Sequence, residues 1–130
     1  MIKVFHLLPG VTFRVFRDSR FKQGCLSFQM IRGMKAEEAS LNAILPAVLL
    51  RGCNSCPDLR DIILRLDDLY GASVGTQVRR VGDYQTTGFY ASFIEDRYAM
   101  DGDAVLAPMV AFVKELLLDP VTEKGVFPTD

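Results

Sequence analysis

The stretch "LNAILPAVLLRG", Leu41 to Gly52, decides how this chain folds. Its composition is that of a buried helix, yet Pro46 stands in the middle. A proline inside a helix removes one backbone hydrogen bond, clashes with the preceding turn and costs roughly 3 kcal/mol. At about 100° per residue, Leu41, Ile44, Leu45 and Val48 gather on one side, the expected core stripe. Ala43, Pro46, Ala47 and Leu50 gather on the other, and they are apolar too. A helix apolar on both sides has to be covered on both. Either it lies wholly inside its domain, or one side meets another domain or subunit.

Toward the C-terminus, Ser55 and Asp58 fit a capping box with Pro57 in the first turn of a second helix. Leu59, Ile62, Ile63, Leu66 and Leu69 form its apolar stripe, and Gly71 ends it. Two strands follow, joined at Gly82-Asp83. Pairing Val81 with Tyr84 sets Val74 opposite Ala91, Thr76 opposite Phe89 and Val78 opposite Thr87, so one face is apolar and the other polar. A last helix is expected to start near Asp103, carry Pro108 at its first turn and stop before Pro120. The tail "VTEKGVFPTD" has loop composition and looks cut. Toward the N-terminus, "IKVFHLL", "VTFRVF" and "CLSFQMIRG" read as three strands separated by turn residues. This order predicts an α+β fold, an antiparallel sheet with helices packed on one face, forming one domain over 1–130 that is truncated at its C-terminal end.

The 130 residues carry 49% hydrophobic and 24% charged residues and a net charge of −1. That balance gives no electrostatic ground for nucleic acid or an anionic membrane as partner. No apolar run approaches the roughly 20 residues of a membrane span, and the N-terminus lacks the pattern of a signal peptide. Three cysteines without an export signal point to reduced thiols in a cytoplasm. The mean hydropathy of +0.17 is high for a small domain and suggests an apolar surface that meets a protein partner.

Four groups of residues could carry chemistry. Cys53-Asn-Ser-Cys56 invites a thiol redox reading, but a helix precedes it where a thioredoxin-like site would have a strand. Zinc would need two more ligands, and only Cys25 and His6 remain, without suitable spacing. Asp67 and Asp68 diverge by about 100° on their helix and cannot converge on one cation. Asp101 and Asp103 read as turn and cap residues, and Arg79-Arg80 is too small a basic patch for nucleic acid.

The order and local sequence of these parts resemble the pitrilysin, insulinase and mitochondrial-processing-peptidase family of inverted-motif zinc peptidases. "LPGVTFRVFRDSRFKQGCLSFQMIRG" resembles its opening strands, with Glu37 at the usual interval after Gly33. "AVLLRGCNSCPDLRDIILRLDDLYGASVGTQV" resembles its motif helix, second helix and hairpin start, and "VKELLLDPVTEKGVFPTD" its last helix. The resemblance implies a LuxS/insulinase-like domain. Active members carry H-x-x-E-H shortly before the glycine, two histidines for zinc and a glutamate that activates water. Those positions fall on Ala43, Pro46 and Ala47, which can neither bind zinc nor move a proton. Glu123 is at roughly the interval of the third ligand, with no site to complete.

The resemblance therefore implies a chain without peptidase activity and without a cofactor. It would bind peptide or protein as the partner of an active family subunit or of its own remaining domains, as a homo- or heterodimer. The face around Ala43, Pro46, Ala47 and Leu50 and the hairpin's edge strand are the expected contacts. "LDDLYGA" is similar to bacterial, motif-lacking members associated with 5-aminopentanol modification of elongation factor P. Two other functions stay open: a thiol redox protein using Cys53 and Cys56, and an independently folded interaction module.

Overall fold

The hairpin forms in the register that its side chains predict. In the computed structural model, which describes residues 1–128, β4 (Ser73–Val81) and β5 (Tyr84–Ile94) pair antiparallel with Val81 opposite Tyr84, Val74 opposite Ala91 and Thr76 opposite Phe89. Gly82 turns the chain at φ +59°, a conformation that costs glycine little. β3 (Gln23–Gly33) pairs with the other edge of β5, so the order is β3-β5-β4 and β5 is central. Phe89, Ala91 and Phe93 of β5 point into the core, while Tyr90 and Ser92 point away from it.

Three helices cover that inner face: α1 (Ala36–Leu49), α2 (Leu59–Asp68) and α3 (Leu106–Leu118). In α3, Met109, Phe112, Val113 and Leu116 repeat at helical spacing and, with Val105 just before it, are all buried. Each large side chain of this kind contributes about 1.5–3 kcal/mol through burial. Ile62 and Leu69 come in from α2 and Leu49 from α1, and one continuous cluster results, with Pro46 of α1 also buried. The arrangement is α+β with helices on one face of the three-stranded sheet.

β1 (Ile2–Leu8) and β2 (Val11–Phe16) form a separate two-stranded sheet. Every residue of both strands except Val15 is exposed.

Two helix starts differ from the expectation. Ser55 does not cap α2. Asp58 does, accepting from the Asp61 amide at 2.9 Å, and Pro57 precedes the helix. The expected box sat three residues early because Ser55 is drawn into a side-chain cluster described below. Asp103 does not start α3 either, since the tyrosine hydroxyl of Tyr70 donates to it at 2.6 Å. The first amides of α3, those of Val105 and Leu106, donate instead to Asp96 Oδ1 at 2.9 and 2.8 Å. These two bonds hold the Asp96 carboxyl below the usual carboxylate range.

Candidate functional site

α1 lies across the sheet with Pro46 at the centre of its inner face. Pro46 and Leu49 are buried, Ala43 and Leu50 are half-buried, and Ala47 is exposed. The four motif-side residues therefore straddle the boundary between core and surface. The expected core stripe is overturned: Leu41 is 69% exposed and Ile44 58%, while Leu45 and Val48 are half-buried. With apolar residues on both sides, periodicity left the rotation of this helix open. Packing settles it. Ala39 and Ala43 are small, and the compact proline ring fills space against the sheet where a longer side chain would hold the helix off.

Gln85 fixes the same helix from the sheet side. It is buried on the inner face of β5, and its Nε2 donates to the Ala39 carbonyl at 2.9 Å. At the N-terminal end Arg32 pairs with Glu38 at 2.7 Å, and the Met34 amide donates to the Asp83 carbonyl at 2.8 Å. The parity of β5 places Gln85 on the face of Thr87 and Phe89, which was the available signal for its role.

The residues at the motif positions do not fit a zinc ion. Ala43, Pro46 and Ala47 have no side-chain donor atom, and Pro46 is sealed inside. Among the described residues no three His, Cys, Asp or Glu side chains converge to hold a metal. His6 lies on the exposed β1–β2 hairpin, its Nδ1 3.4 Å from Thr12 Oγ1. Glu123 sits in an exposed turn closed by its backbone bonds with Val126. Asp67 and Asp68 are exposed, and Asp101 and Asp103 belong to the turn before α3.

The thiol pair is built into the structure. Cys53 and Cys56 exchange both backbone hydrogen bonds, at 2.9 and 3.0 Å, and are 0% and 4% exposed. Gly52 is required there, because a Cβ would stand 2.5 Å from the Pro57 carbonyl oxygen. Ser55 Oγ lies 3.4 Å from Cys53 Sγ and donates to Glu115 of α3. Arg65 of α2 donates to Ser55 Oγ at 2.9 Å and to Glu115 at 3.1 Å, with its guanidinium 4.9 Å above the Phe112 ring. The serine hydroxyl, helped by the arginine charge, holds the Glu115 carboxyl below its usual range against the opposing effect of burial. Loop 52–57 thus joins three helices. Sequence reasoning missed this cluster, because Arg65 and Glu115 are fifty residues apart and neither belongs to a motif. A redox pair needs an accessible thiol at a helix N-terminus. Here both are enclosed, three or more residues before α2.

The outer face of the sheet is open and polar. Ser73, Gly75, Gln77 and Arg79 of β4 and Tyr90 of β5 line an open groove of about 550 Å³ beside the free edge of β4. Tyr90 donates to Cys25 Sγ at 2.8 Å, and the neighbouring thiol pushes the phenol up. No described helix is long and apolar enough to cross a membrane.

The fold and this helix define an α+β domain in which Ala43, Pro46 and Ala47 of α1 offer no metal ligand. No family model matches the chain. The chain is similar to a protein of Bacillus subtilis (strain 168) named "probable inactive metalloprotease YmfF", 29% identical over 118 residues. The match takes in 91% of this chain and 28% of that protein. It is also similar to the crystal structure of a conserved protein from Enterococcus faecalis V583, with a TM-score of 0.92 at 25% identity over 98% of this chain and 30% of that one. The chain thus spans less than a third of the length of either relative.

Proposed function

We propose that this chain is the first part of a longer, insulinase-type zinc-peptidase relative that has lost the metal site and serves as a cytoplasmic protein- or peptide-binding unit. The observation that carries the reading is the side-chain set Ala43, Pro46 and Ala47 on α1, which offers no metal ligand and no base. The name of the Bacillus relative supports the same reading. The lengths of both relatives support a chain that continues. Within the family, "LDDLYGA" favours the motif-lacking bacterial branch associated with 5-aminopentanol modification of elongation factor P. The partner is an active family subunit or a further domain of the same chain.

Two surfaces suit such binding. The free edge of β4 presents unpaired backbone groups to which an extended peptide can add as a further strand. On α1, Leu41 and Ile44 form an exposed apolar strip together with Ala47, the exposed member of the motif positions. Hydrogen exchange of the β4 amides with and without an extended apolar peptide tests the first surface. Slower exchange at alternate residues of 73–81 is expected. Peptide binding with no change along β4 would contradict the assignment.

A further inference from the structure

The β1–β2 hairpin exposes apolar side chains on both faces, with His6, Thr12 and Arg14 interleaved on one of them. Ile2 pairs with Phe16 and Val4 with Arg14 on one face, and Phe5 pairs with Phe13 and Lys3 with Val15 on the other. The Phe5 and Phe13 rings lie 6.2 Å apart and are 46% and 44% exposed, so they pack on each other and on little else. An isolated two-stranded hairpin is marginal in water, and a sheet with apolar side chains on both faces belongs between two layers. Yet the solved Enterococcus chain matches this fold with a TM-score of 0.92 over 98% of the residues, hairpin included. A hairpin so lightly attached to its body leaves its apolar side chains to be covered from outside that body.

Charge indicates what covers them. Lys3, Arg14, Arg17, Arg20 and Lys22 stand against Asp18 alone, so residues 1–22 are basic within a chain of net −1. Among the described residues Arg20 pairs with Asp18, whereas Lys3, Arg14 and Arg17 form no ion pair. Two copies meeting hairpin to hairpin would bring like charges together. A basic hairpin on the acidic body of another copy would make a head-to-tail contact that need not close. The matched relatives, by contrast, hold more than two-thirds of their length outside the region resembling this chain.

We infer that the β1–β2 hairpin is a docking element for the polypeptide that follows Asp130 in the same chain. That segment supplies a strand to a free hairpin edge, apolar side chains over Phe5 and Phe13, and carboxylates facing Lys3 and Arg14. The inference rests on the longer-chain reading above. Hydrogen exchange of residues 2–16 tests it, comparing the 130-residue chain with the full polypeptide encoded from the same start. Exchange slower by about 100-fold or more in the long chain is expected. The pair Phe5→Asp and Phe13→Asp should restore fast exchange there while β5 stays protected. Fast hairpin exchange in the long chain would overturn the docking and leave the longer-chain reading intact. A reading frame that closes at Asp130 would overturn both. Protection of the 130-residue chain that rises with its concentration would assign the surface to a second copy instead.

Discussion

Glu115→Ala should loosen the junction of the three helices by about 2 kcal/mol. The carboxylate accepts from Ser55 Oγ and from Arg65 at 3.1 and 3.5 Å. A hydrogen bond to a charged group contributes about 1.5–3 kcal/mol. The ion pair adds little, since its side chains are 30% and 32% exposed and water screens them. Arg65 keeps its Ser55 bond and its place over Phe112, so it is not stranded. A loss of about 2 kcal/mol corresponds to a midpoint lower by roughly 5–10 °C for a domain of this size. Glu115→Gln retains an acceptor and should lose about half as much. The carboxyl is held below its ordinary value of 4.5, chiefly by the Ser55 hydroxyl. A depressed carboxylate stabilises fully above its unfolded pKa, and that contribution disappears as pH falls through the folded value. Urea denaturation at pH 7 and pH 3 should therefore show the full difference from wild type at pH 7 and a smaller one at pH 3. Equal losses at both pH values, or a loss under about 0.5 kcal/mol at pH 7, would refute the reasoning.

Other changes separate core from surface. Pro46→Glu should cost about 3–5 kcal/mol, because it buries a carboxylate without a partner; a melting point close to wild type would contradict the inward-facing proline. Leu41→Asp and Ile44→Asp should each change stability by less than about 1 kcal/mol, whereas true core positions would lose 2–5 kcal/mol in chemical denaturation. Asp96→Ala should weaken the start of α3 by about 1 kcal/mol at neutral pH, read from urea melts, and the wild-type advantage should fade in acid as the carboxyl protonates. In a thiol titration of the native chain Cys25 should react fast and Cys53 and Cys56 slowly; three equally fast thiols would show that loop 52–57 is open.

The hairpin was legible because each strand alternates between one apolar and one polar face. A slip of one residue would have exposed Phe89 and Phe93, so a single register survived. The three opening strands were legible as apolar, β-branched and aromatic runs bounded by glycine and polar turns. The rotation of α1 was not. Its two sides carry similar apolar content, and the side that faces in, that of Pro46 and Leu49, is fixed only by packing and by the bond from Gln85 of β5 to the Ala39 carbonyl. Ser55 and Asp103 are good caps by local rules, and each was claimed by a distant partner, Glu115 and Tyr70. Such long-range claims leave no mark at short spacing. The motif positions were assigned through family resemblance, and periodicity alone misplaced them on an outer face, whereas Pro46 is buried, Ala43 half-buried and Ala47 exposed.

Zinc content and proteolysis of the purified protein, measured together, test the central claim most directly. The account predicts well below one zinc per chain after equilibration with the metal, and no cleavage of an unfolded peptide substrate that a chelator can stop. One zinc per chain with chelator-sensitive cleavage, lost on substitution of α1 residues, would contradict it.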